Sequence, residues 1–194
     1  MKKFFCLMVT LTVILSAYAY AESVPSKTTN DMIQIEIITE ETAGVESSTF
    51  IAPVRADDAA YAEILEMSAA EIQKMAESTV IEAYFGEVQD AEGNAVLLRD
   101  LLGTETLNCF EFHPIAAGGF EQPDSATTVR MKFATPYTEE EKVLVLIGIV
   151  AETGIEWTVY PAEVDEAGQV IVVLDHQIIL QIQSNKALMA IVSK

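Results

Sequence analysis

The chain has 194 residues, 51% of them hydrophobic, and carries a formal charge of −19 from 30 acidic and 11 basic residues. Such a charge repels nucleic acid and anionic membrane surfaces, which removes both from the expected partners. The apolar content is too high for a disordered acidic chain, so a folded protein with a real core is expected.

The start reads as an export signal. Lys2 and Lys3 precede an apolar core from Phe4 to Ser16, and Ala17-Tyr18-Ala19 or Ala19-Tyr20-Ala21 supplies the small-x-small cleavage pattern. Cleavage is expected after Ala21, with Ala19 the alternative, giving residues 1–21 as signal peptide and a secreted mature chain. The apolar core falls short of the ~20 residues that span a bilayer, and no later stretch is long and apolar enough, so the mature form is not expected to cross a membrane. Cys6 leaves with the signal, which makes Cys109 the one remaining cysteine and excludes an internal disulfide. The signal and the missing disulfide together suggest export from a Gram-positive-type bacterium.

After a polar leader, Met32 to Ile38 alternates as a half-buried strand, and Pro53 interrupts regular structure before Ala56. Residues 57–78 are the helical region. Asp57 or Asp58 caps the start, Ile64 and Leu65 follow at turn spacing, and Ser68 with Glu71 forms a capping box that restarts the helix. Val80 to Val88 and Val96 to Leu98 read as strands around a turn at Gly93, and Leu101 to Gly103 as a helical turn. Thr106 to His113 alternates, with Phe110 and Phe112 directed to the core and Leu107, Cys109 and Glu111 on the other face. Pro114 to Ser125 is the longest loop and the expected boundary between an N-terminal part, 22–113, and a C-terminal part, 127–194, which shares one core with strands from 80–113 or stands apart.

From Thr127 the pattern is all strand and turn. Thr127 to Phe133 is followed by a charged turn from Pro136 to Lys142 and then by the runs VLVLIGIV, IEWTVY, VIVVL, IILQI and ALMAIV. Residues 87–98 and 163–174 read alike around an acidic turn closed by Gly, which hairpin chemistry explains without a repeated domain. Val143-Leu-Val-Leu146, the run around Trp157, Asp165-Glu-Ala-Gly168 and Ala187-Leu-Met-Ala-Ile-Val192 together resemble the immunoglobulin-like β-sandwich modules of secreted Gram-positive proteins. The paired cysteines of antibody-type domains are missing. The expected fold class is therefore α+β, an N-terminal strand and short helical pair packed on an antiparallel, immunoglobulin-like sandwich.

Motifs for chemistry are sparse. There is no G-x-S-x-G elbow, phosphate-binding glycine loop or H-E-x-x-H. Glu111 and His113 share a strand face at a spacing that can hold a metal, and with Asp175 and His176 they form the candidate zinc ligands of a small metal-assisted hydrolase. No catalytic residue is assigned. The Asp90 to Asn94 turn lacks the full calcium-loop pattern, so no cofactor is expected, with calcium at an acidic loop the one ion left open. Trp157 is assigned to the core, and Tyr137, in a charged turn, is the candidate exposed aromatic for a ligand. The leading expectation is a secreted, non-catalytic binding or structural module of an extracellular or envelope system with a protein or glycan partner. Ala187 to Val192 is expected at a sheet edge, where it would pair with a second copy.

Overall fold

A computed structural model of the chain describes residues 33–38, 49–55, 57–67, 85, 88–105, 109–120 and 126–194. The export signal, the leader and the Ser68–Glu71 capping box lie outside the described residues. The elements are β1 (Gln34–Ile38), β2 (Phe50–Pro53), β3 (Val88–Gln89), β4 (Ala95–Val96), α1 (Leu98–Leu102), β5 (Cys109–Gly118), β6 (Thr127–Lys132), β7 (Val143–Ala151), β8 (Gly154–Val164), β9 (Val170–Leu174), α2 (His176–Ser184) and β10 (Ala187–Ser193). A 3-10 turn at Ala59–Tyr61 runs into helix over 62–67, the first part of the expected helical region.

The strands join one hydrogen-bonded sheet in the order β1-β6-β9-β8-β7-β10-β5-β2, and β3 adds to β8 in parallel and carries β4. All other pairings are antiparallel. The sheet curls until its end strands β1 and β2 lie close together, a nearly closed barrel. The expectation of antiparallel, β-rich structure is met. One continuous sheet replaces the two facing sheets of an immunoglobulin-like sandwich, because β5 and β10 are neighbours and link the strands before and after residue 120.

Alternation along each strand sorts the apolar residues into two cores. Val143, Val145 and Ile147 of β7, Ala187, Met189 and Ile191 of β10 and Val170, Val172 and Leu174 of β9 fill the interior, into which α2 sends Ile178, Ile179 and Ile182. Leu144 and Leu146 of β7, Leu188, Ala190 and Val192 of β10 and Phe110 and Phe112 of β5 face outward under Ile64, Phe85, Leu98 and Leu102. Strands buried on both faces read as continuous apolar runs, whereas β6 alternates because its outer face carries Arg130 and Lys132.

Four expectations change at the level of elements. Phe85, expected within a strand from Val80 to Val88, is helical, and β3 holds only Val88 and Gln89. The run IILQI belongs to a helix: Asp175 caps it by accepting from the Ile178 amide at 3.0 Å, and the buried isoleucines fall on one helical face. Ala187 to Val192 is a central strand between β5 and β7, which leaves it no edge for a second copy. Pro114 does not begin a loop, since β5 continues to Gly118. The Pro114 carbonyl accepts from Val54 N at 2.8 Å, so its ring nitrogen faces the side where β2 has ended and the ladder to β10 is intact. Pro53, likewise, closes β2 as its last residue.

The two similar acidic turns are one device used twice. The Asp90 carboxylate accepts from the amides of Glu92 and Asn94, at 3.0 and 2.8 Å, and Gly93 takes φ +83°. The Asp165 carboxylate accepts from Ala167 and Gln169, both at 2.9 Å, and Gly168 takes φ +73°. An Asx-type loop closed by a left-handed glycine accounts for the likeness.

Candidate functional site

The sheet opens where β9 parts from β8. Val170, Ile171 and Val172 pair with Val164, Glu163 and Ala162, whereas Val173 and Leu174 pair with β6. The next residue, Asp175, starts α2. It spans the opening by accepting the Tyr160 hydroxyl at 2.5 Å through Oδ2, and it caps α2 through Oδ1. Burial, and then the hydrogen bond to the Asp175 carboxylate, raise the Tyr160 phenol far above its ordinary range, so it stays a donor. On the far side, Val88 and Gln89 of β3 pair with Trp157 and Thr158 of β8.

The result is a groove floored by β8, walled by α2 on one side and by the β3–β4 hairpin on the other. A cavity of about 420 Å³ lies over Ile149, Ile155, Glu156 and Trp157. A smaller one of about 130 Å³ lies over Tyr160, Asp175 and the Asp90 turn. Gln89, Thr158 and Gln181 line both and join them. Gln177 and Gln181, one helical turn apart, present their amides from the same side of α2. The Gln177 amide lies 2.9 Å from the His176 ring. The side chains of Gln89, Glu156, Thr158 and Gln181 make no hydrogen bond or ion pair to the described residues and are open to a ligand. The Asp90 carboxyl, held below the usual range by the Asn94 side chain and by backbone amides, adds negative charge at one end.

The candidate metal ligands form two pairs. Glu111 and His113 point to the interior face of β5, as two-residue spacing requires, with His113 Nε2 3.3 Å from Glu111 Oε2. The Glu111 and His113 side chains are 2% and 14% exposed. Asp175 and His176 sit at the start of α2, where the Asp175 oxygens serve Tyr160 and the helix. Among the described residues no three His, Cys, Asp or Glu side chains gather into a group that could hold a metal. Tyr137 is not exposed, contrary to its charged surroundings. It is 2% exposed, its ring stands edge-on to Phe133 at 5.1 Å, and its amide donates to Gly168 O at 3.0 Å, which folds the Pro136 turn over the end of the interior. Trp157 is in the outer core as expected, edge-to-face with Phe85 and Phe112.

The groove residues carry no motif. Gln177 and Gln181 share a face only once residues 176–184 are helical, and Gln89 meets Thr158 only through a parallel pairing of strands far apart in sequence. Among the described residues no helix is long and apolar enough to cross a membrane. Comparison with protein-family models, curated proteins and solved structures yields no match.

Proposed function

We propose that the chain is a secreted, non-catalytic binding module of a bacterial extracellular or envelope system, which takes a protein or glycan partner in the groove beside β8. The observation that carries this reading is the convergence there of two amides, a hydroxyl and a carboxylate that have no side-chain hydrogen bond or ion pair among the described residues. Polar groups around an open cleft give orientation and specificity to a bound ligand. Glu156 and Thr158 are mounted on β8, which pairs with β7 from Gly154 to Ala162, Gln181 on a capped helix, and Gln89 on the short β3 paired to β8, so the groups are positioned before binding. Other acids, Asp90, Asp165 and Asp175, are engaged in turns and caps, which is structural work. The sequence pattern of residues 1–21, read as an export signal, supports an extracellular setting for this activity.

The test is a screen of the labelled protein on arrays of envelope glycans and of peptides, beside the Gln89→Ala/Gln181→Ala double variant. Spots retained by the protein and lost by the variant support the reading. No retained spot, or equal retention by both proteins, refutes it.

A further inference from the structure

Resting on that reading, we infer that the occupant of the groove is an extended, basic segment of a protein partner. Charge is the first reason. Among the described residues the lining includes Glu156, Asp90 and Asp175 and no lysine or arginine, in a chain of net charge −19. The Asp90 and Asp175 oxygens are already engaged, so these two supply field, and Glu156 supplies the open acceptor for an ammonium or guanidinium group.

Shape and hydrogen bonding favour peptide over sugar. A pyranose ring is held best by an exposed aromatic face, and here Trp157 and Tyr160 are 6% and 4% exposed, with Trp157 turned into the outer core. The side-chain amides of Gln89 and Gln181 each offer a donor and an acceptor together, the pattern that a peptide group matches. They stand on opposite walls over Thr158, so a chain lying along β8 meets both.

Trp157 is the sole tryptophan of the chain and lines the groove, so its fluorescence reads occupancy. The probes are the peptide (Lys-Thr)4, its counterpart (Glu-Thr)4, and tetra-N-acetylglucosamine, each titrated into the protein and into Gln181→Lys and Gln181→Glu. Gln181 is exposed on α2, and both replacements keep helix propensity, so the fold is retained. The expected result is saturable binding of (Lys-Thr)4, about fivefold weaker in Gln181→Lys and about fivefold tighter in Gln181→Glu. Both effects should fade as salt shortens the Debye length to ~3 Å near 1 M. Equal binding of (Glu-Thr)4, or a response insensitive to the sign at 181, overturns the inference. A response to the sugar alone overturns it too but leaves the binding module standing, and no response to any probe removes the groove from both readings.

Discussion

Replacing Tyr160 by phenylalanine isolates the hydrogen bond that holds α2 across the opening between β8 and β9. The ring remains in the interior core, and what is lost is one donor to a carboxylate at 2.5 Å. Hydrogen bonds to charged groups contribute about 1.5–3 kcal/mol, and Asp175 is half-buried, so water partly replaces the phenol and the cost should be about 2 kcal/mol. For a chain of this size that lowers the thermal midpoint by about 4–8 °C. The pH dependence supplies a second check. The folded-state phenol ionises above its ordinary value of about 10, so the unfolded chain loses its proton first. The stabilisation is therefore complete below pH 10 and declines as pH rises beyond it, by about 1.4 kcal/mol at pH 11. Since Tyr160→Phe has no such proton, the gap between the two proteins should narrow from pH 7 to pH 11. Urea unfolding followed by Trp157 fluorescence at both pH values measures it. A variant within 0.5 kcal/mol of the parent at pH 7, on the ~1 kcal/mol scale of a single hydrogen bond, or a gap that widens at pH 11, would refute the reasoning.

Three further outcomes follow from the same packing. Asp175→Asn keeps a capping oxygen and should cost less than Asp175→Ala, which also loses the cap, by about 1 kcal/mol in the same urea titration. Gly168→Ala should destabilise by 2 kcal/mol or more, on the ~1–3 kcal/mol scale of a strained backbone plus a clash, because φ is +73° and the added Cβ would lie 2.5 Å from both Pro136 Cβ and Tyr137 O. Tyr137→Ala should cost about 3–5 kcal/mol in stability, as for other buried aromatics, while leaving ligand binding by the folded fraction unchanged, which array binding below the melting range would check.

Much of the framework was legible in the residues. The alternation of β6, the acidic turns at Asp90 and Asp165 and the shared face of Glu111 and His113 are local patterns, dictated by side-chain period and turn chemistry, and each is found where expected. The run ALMAIV also held information beyond its strand character. Continuous burial of both faces implies a central position rather than an edge, as β10 proves to have.

The remainder was decided by contacts distant in sequence. A five-residue apolar run such as IILQI suits strand or helix alike, and the barrel interior, which offers a site for three isoleucines on one helical face, settles it as helix. Tyr137 reads as exposed among Glu139, Glu140 and Glu141 until the Gly168 turn draws it inward. The groove exists only because β9 parts from β8, and Gln89, Thr158 and Gln181 come together only in three dimensions. Composition and period determine which residues are buried; strand order and the place where the sheet opens determine which polar groups meet. The latter depend on pairings between segments tens of residues apart, whose energies no local pattern encodes.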